Sequence, residues 1–226
     1  MMTMSALFEP IRYKLVEQQI RPWNVSDADV LNTLLTVHRE HFVPANLAHL
    51  AFTDTQLPLP GATHPSQVMF EPKVEARVLQ ALKPTSKETV LEVGAGSGYL
   101  AALLAQYAKF VTTVDSDSQM VNLAKKNLKQ ANILNVNVEQ GDAYTGWGDK
   151  SYDVICISGG MPSLYEGLKQ QLAVKGRLFA IVGNAPVQRA ILVQRHDATH
   201  FSETLLFETL VPNLQSNKVK ESLFSF

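Results

Sequence analysis

Glycines at every second position, Gly94, Gly96 and Gly98, stand just after an acid, Glu92. Glycine suits such a turn because it admits backbone angles barred to residues with a Cβ and lets a ligand approach the main chain closely. A dinucleotide fingerprint would put its third glycine one position later, where Tyr99 stands, and would favour an acid on the ribose roughly twenty residues on. A carboxylate ahead of the glycines attracts a cation rather than a pyrophosphate. S-adenosylmethionine carries an ammonium and a sulfonium and no phosphate, so the pattern points to that cofactor, with S-adenosylhomocysteine as its product, and away from NAD. The plainer alternative is a glycine-rich turn of an ordinary α/β protein with Glu92 merely solvated.

Further polar groups extend the pattern. Asp115 ends the run 110–114, Asp142 follows 136–139 through Gly141, and Ser158 ends the apolar run 153–157. Asp115, with Ser116 beside it, can accept two ribose hydroxyls. Asp142 can accept from the exocyclic amine of adenine while the Ala143 amide donates to a ring nitrogen. Any one of these acids could instead cap a helix or turn, but three at successive strand ends form a consistent set. The expected cofactor contacts are Glu92, Gly94, Ala95, Gly96, Gly98, Asp115, Ser116, Asp142, Ala143 and Ser158. His38 and His41, without a carboxylate or third histidine at metal spacing, read as a surface helix end, and no metal is expected.

The elements that must position these residues follow from periodicity. Val90–Val93 reads as a strand and Leu100–Ala105 as an apolar helix, the first half of a βαβ unit. Strands are then expected at 110–114, 136–139, 153–158, 177–182, 190–195 and 204–209, the last two as an antiparallel pair at one edge. Helices are expected at 120–131 and at 161–172, the latter beginning near Pro162. The fold class is α/β: a Rossmann-like, doubly wound, mostly parallel seven-stranded sheet with an N-terminal helical extension. Ligands of such sheets bind beyond the carboxyl ends of the strands at the switch point, which is where the polar set falls.

Ahead of the sheet, Leu15 to Ile20 and Val30 to Leu35 read as two helices split at 21–24, with Ser26 as N-cap of the second. The Pro- and hydroxyl-rich stretch 51–72 is a long loop placed to cover the cofactor pocket. The expected division is 1–82 for the helices and covering loop, 83–212 for the cofactor-binding unit and 213–226 for a tail, with Phe224 and Phe226 packing on the surface or on another subunit.

Composition narrows the function classes. With 226 residues, 20 basic and 21 acidic side chains and a net charge of −1, no global field recruits nucleic acid or anionic lipid. The lysines at 125, 126 and 129 read as a solvated face. The one cysteine, Cys156, excludes an intramolecular disulfide and fits a reducing cytoplasm; it sits in a core strand pattern. No signal peptide and no bilayer-spanning stretch are expected, and oligomeric state is not legible.

The order of several motifs is more specific than any one of them. Val30-Leu31 leading to Arg39-Glu40-His41-Phe42-Val43-Pro44, Leu57-Pro58-Leu59, Glu71-Pro72-Lys73-Val74-Glu75-Ala76-Arg77, the stretch Leu91 to Tyr99 and Gly141 to Trp147 together resemble the protein-L-isoaspartate O-methyltransferase family over roughly Leu15 to Leu214. The resemblance implies a protein-repair methyltransferase that esterifies the α-carboxylate of isoaspartyl residues in peptides or proteins. The family carries Thr-Ile-Ser-Gln-Pro before the helix at Pro72, its serine close to the transferred methyl. Here the spacing is longer by four residues. Counted from Leu57, the serine falls on Ser66; counted back from Pro72, it falls on Phe70. Retained Ser66 would preserve the family's activity, whereas Phe70 in the pocket would suggest another small-molecule or RNA acceptor. A non-catalytic relative that binds the cofactor is a third reading.

Overall fold

The computed structural model describes residues 4–218; Phe224 and Phe226 lie outside them. A short hairpin, β1 (Leu57–Pro58) and β2 (Val68–Met69), precedes seven strands of one sheet: β3 (Thr89–Val93), β4 (Phe110–Asp115), β5 (Val136–Gln140), β6 (Tyr152–Met161), β7 (Leu172–Val182), β8 (Gln188–Arg195) and β9 (Phe201–Thr209). Their order is β5-β4-β3-β6-β7-β8-β9. β5 through β7 of that order are parallel, and β8 and β9 add an antiparallel pair at the edge, as expected. The chain winds outward from β3 to β5 and returns to lay β6 on the other side of β3, so the switch point lies between β3 and β6.

Six α-helices accompany the strands among the described residues: α1 (Met4–Leu15), α2 (Ala28–Thr36), α3 (Pro72–Leu82), α4 (Tyr99–Ala105), α5 (Ser118–Gln130) and α6 (Glu166–Gln170). Alternate residues of the central strands enter opposite cores. Val90, Val154 and Cys156 pack with residues of α2 to α5, whereas Leu91, Ile155 and Ile157 pack with Tyr144, Tyr152 and Leu168. Both faces are therefore covered, which is why these strands read as nearly continuous apolar runs. Cys156 is buried in the core as its pattern suggested.

Two local expectations need correction. The N-cap of α2 is Asp27, not Ser26: the Asp27 carboxylate accepts from the Asp29 and Val30 amides at 3.0 and 3.2 Å, while the Ser26 amide is taken by Gln80 of α3 at 2.9 Å. The run after Cys156 does not turn into a long helix at Pro162. β6 continues through Gly159 and Gly160 to Met161 with a register shift against β7, and α6 is confined to Glu166–Gln170. The cause is non-local: the Gly160 amide donates to the Pro212 carbonyl and the Gly160 carbonyl accepts from the Leu214 amide, both at 2.9 Å, which keeps this backbone extended. The described part of the tail, residues 213–218, runs along the rim of a pocket at the strand ends.

Candidate active site

The glycine turn adopts the backbone angles its composition implied. Gly94, Gly96 and Gly98 have φ of 97°, 49° and 81°, all in the left-handed region. Asp115 braces the turn from the end of β4, its carboxylate accepting from the Gly96 amide at 3.1 Å and the Asp117 amide at 3.0 Å. Burial is the main effect on this acid and raises its pKa despite those amides.

Glu92 sits deeper, opposite Thr113 on β4 and Cys156 on β6. It is 1% exposed and accepts hydrogen bonds from the Thr113 hydroxyl at 2.6 Å and the Ser158 hydroxyl at 2.9 Å. Burial pushes its carboxyl up to about 8, against the pull of the two hydroxyls. A buried acid held partly neutral is one that an incoming cation would ionise.

Two adjoining chambers open at this rim. The outer one, about 630 Å³ counting the part open to solvent, is lined among others by Ser66, Asp115, Ser116, Asp142, Ala143 and Ser158. The inner one, about 320 Å³ on the same basis, is lined by residues that include Phe70, Glu75, Glu92, Ala95 and Tyr99. Gly94, Gly96 and Ser158 border both. An elongated ligand can lie across both, past the border they share at Gly94, Gly96 and Ser158. No Lys or Arg lines either chamber among the described residues, so no cationic side chain is set to pair with a phosphate. That donor set fits a cationic, phosphate-free cofactor.

The covering loop is fixed over the outer chamber by Asp117, the N-cap of α5. Its carboxylate accepts from the Thr63 hydroxyl at 2.9 Å and the Gln67 side-chain amide at 2.6 Å. Leu59 reaches the glycine turn, where a Cβ at Gly96 would come within 3.3 Å of it. Behind the hairpin, Arg39 is buried and donates to Glu75 at 2.8 Å, to the Ala51 carbonyl at 2.9 Å and to the Phe70 carbonyl at 2.6 Å. Burial outweighs Arg39 in its effect on Glu75 and pushes that acid up to about 7.

The ligand atoms of His38, Glu40 and His41 lie within 4.8 Å of one another, a closeness the His38–His41 spacing alone did not convey. Glu40, however, is paired with the buried Arg12 guanidinium, whose charge opposes a divalent cation.

The sequence as a whole matches the family described as protein-L-isoaspartate(D-aspartate) O-methyltransferase over residues 11–217. The chain belongs to this family. Among relatives named protein-L-isoaspartate O-methyltransferase, one from Rhodopseudomonas palustris is 39% identical over 83% of this chain and 76% of its own length. Another, from Protochlamydia amoebophila, is 36% identical over 83% of this chain and 88% of its own. A crystal structure of a putative protein-L-isoaspartate O-methyltransferase from Plasmodium falciparum, in complex with S-adenosyl-L-homocysteine, superposes with a TM-score of 0.77 over 91% of this chain and 99% of that one at 21% identity. It shares the fold.

Within this O-methyltransferase framework both positions for the family serine face the site, from different sides. Ser66 lines the outer chamber, its hydroxyl sharing a 2.7 Å hydrogen bond with His64 Nδ1; Phe70 is a buried wall of the inner one. Gly98 alone among the expected contacts borders neither. It is the N-cap of α4, and a Cβ there would press on α5 at 3.1 Å from Leu128 and 3.3 Å from Ala124, so close helix packing favours glycine at this position. The reading of residue types missed Glu75, Met120, Tyr144 and the segment 213–215 as lining. Met120 and Tyr144 follow strand-end acids closely enough to have been inferred; nothing in the sequence marked Asn213 to Gln215.

Proposed function

We propose that this chain transfers the methyl group of S-adenosylmethionine to the α-carboxylate of L-isoaspartyl residues in damaged proteins, a repair reaction carried out in the cytoplasm. The observation that carries it is the Glu92–Ser158 pair beside the Asp115-braced glycine turn, in a chain that matches the family from end to end of its fold. The bound cofactor supplies an electrophilic methyl on a sulfonium. Glu92 and Ser158 face its cationic end, Asp115 and Ser116 its ribose, and Asp142 with the Ala143 amide its adenine.

The acceptor carboxylate is already ionised at neutral pH, with a reference pKa near about 4, so the chain needs no general base. Its task is to hold carboxylate oxygen, methyl and sulfur in line, an effect whose ceiling is roughly 7–11 kcal/mol. The hairpin pinned by Asp117 is the element that admits the peptide, with Ser66 offering a hydroxyl to it. A second reading, methylation of a planar small molecule or RNA base, is favoured by Phe70 in the inner wall. The products distinguish them. An isoaspartyl peptide should gain one methyl as an ester that mild base removes; a base-stable methyl on another acceptor, with no ester formed, would overturn the first reading in favour of the second.

A further inference from the structure

Two hydrogen bonds converge on one ring nitrogen of His64. The Ser66 main-chain amide donates to His64 Nδ1 at 3.2 Å, and the Ser66 hydroxyl lies 2.7 Å from the same atom. An amide N–H can only donate, so Nδ1 is the acceptor and carries no proton. The hydroxyl must then donate to Nδ1 as well. It has one proton to give, and His64 takes it.

The turn that carries this pair is tied down on both sides. The Gln67 side-chain oxygen accepts from the Thr63 and His64 amides at 2.6 and 3.1 Å, and its side-chain nitrogen donates to Asp117 at 2.6 Å. On the main chain, the Gln67 amide donates to the His64 carbonyl at 3.0 Å and the Gln67 carbonyl accepts from the Leu59 amide at 2.9 Å. His64 is exposed, whereas Ser66 is half-buried and lines the outer chamber. What Ser66 Oγ can offer a ligand there is a lone pair. The family motif Thr-Ile-Ser-Gln-Pro carries no histidine, so the device belongs to this chain.

We propose that Ser66 Oγ recognises the acceptor peptide by accepting a hydrogen bond from the amide N–H of the isoaspartyl residue itself, with His64 as the positioning residue that keeps the hydroxyl in its accepting state. The proposal rests on the isoaspartyl reading above. An ionised carboxylate only accepts, so it and Ser66 Oγ are two acceptors and cannot bond to each other. The nearest donor to the reacting carboxylate is the N–H on the same Cα. Holding that N–H fixes the direction in which the carboxylate meets the methyl, which is the positioning the transfer needs. An acceptor with no N–H at this place would leave the Ser66 lone pair unmatched and is disfavoured.

The test compares two peptides of the same sequence, one with an isoaspartyl residue and one in which the N–H of that residue is replaced by an ester oxygen. For each, kcat/KM is measured with the parent chain and with Ser66→Ala, His64→Leu and His64→Asn. The parent should favour the amide peptide about tenfold, the worth of one hydrogen bond. Ser66→Ala should lose that factor on the amide peptide and treat the two peptides alike. His64→Leu frees the hydroxyl to turn and should narrow the preference, whereas His64→Asn, whose side-chain oxygen can take the place of Nδ1, should restore it. A purely structural role for His64 would change both peptides equally and leave their ratio intact. A ratio equal in the parent and Ser66→Ala would overturn the contact, and one unchanged in His64→Leu would overturn the positioning role; both results leave the isoaspartyl reading standing. Transfer to neither peptide, by parent protein that binds S-adenosylhomocysteine, would overturn that reading and the recognition with it.

Discussion

The Ser158 hydroxyl donates to the Glu92 carboxylate across the seam between β3 and β6 at 2.9 Å. A strand-end serine and a buried acid thereby form one polar unit at the point where the sheet reverses its order. Thr113 closes the other side at 2.6 Å.

The burial of that acid makes stability depend on pH. With Glu92 pushed up to about 8, the folded chain holds a proton that the unfolded chain, with an ordinary glutamate, has released. Stability should therefore fall as pH rises from the ordinary range toward 8, by at most about 1.4 kcal/mol per pH unit for one group, and level off above it. Glu75, pushed up to about 7, adds a slope of the same sign that ends earlier. Glu92→Gln removes the first contribution. Urea unfolding at several pH values between 5.5 and 8 should show the variant gaining on the parent as pH rises; parallel curves would contradict the assignment.

Cofactor affinity should run the other way. A cationic ligand beside Glu92 favours its ionised form, so the affinity for S-adenosylhomocysteine, which keeps the ammonium, should increase between pH 6 and 8 with release of a proton. Glu92→Gln should weaken binding by about 10- to 100-fold, the range of a charge-assisted hydrogen bond of about 1.5–3 kcal/mol, and flatten the pH dependence. Calorimetry in buffers of different ionisation heat reads both effects.

Ser66 and Phe70 should separate cleanly on substitution. Phe70 is 5% exposed, and Phe70→Ala should cost about 3–5 kcal/mol of stability. Ser66→Ala, at an open position, should change stability by less than about 0.5 kcal/mol. If Ser66 contacts the acceptor, the same change lowers kcat on an isoaspartyl peptide about tenfold, the worth of one hydrogen bond. Thermal unfolding and steady-state kinetics on the two variants distinguish a wall residue from a contact residue.

Arg39→Met should be strongly destabilising. It leaves Glu75 without its cation and frees the Ala51 and Phe70 carbonyls, and breaking a buried pair from one side costs about 3–5 kcal/mol. For a chain of this length that lowers Tm by roughly 10 °C. Arg39→Lys should rescue only part of it, because one ammonium cannot reach three acceptors set in a planar fork.

Most of the sheet was legible because its elements announce themselves locally. The runs around Val90, Val111 and Ile155 place apolar residues in the cores on both faces, and the glycines after Glu92 need backbone angles that only glycine adopts freely. The polar rim followed from the rule that ligands sit at the carboxyl ends of parallel strands. The misread positions have partners far away in the chain. Ser26 looked like a cap until Gln80 took its amide, and Gly160 looked like a strand end until Pro212 and Leu214 extended it. Residue types at 213–218 carry no periodicity, and only the path of the chain reveals that they reach Asp142.

The most direct measurement is transfer of labelled methyl from S-adenosylmethionine to three matched peptides: one with an isoaspartyl residue, one with normal aspartate, and one with the isoaspartyl α-carboxyl converted to an amide. The account predicts base-labile labelling of the first alone. Labelling of none of them, by protein shown in the same sample to bind S-adenosylhomocysteine, would contradict it and leave the acceptor to be sought around Phe70.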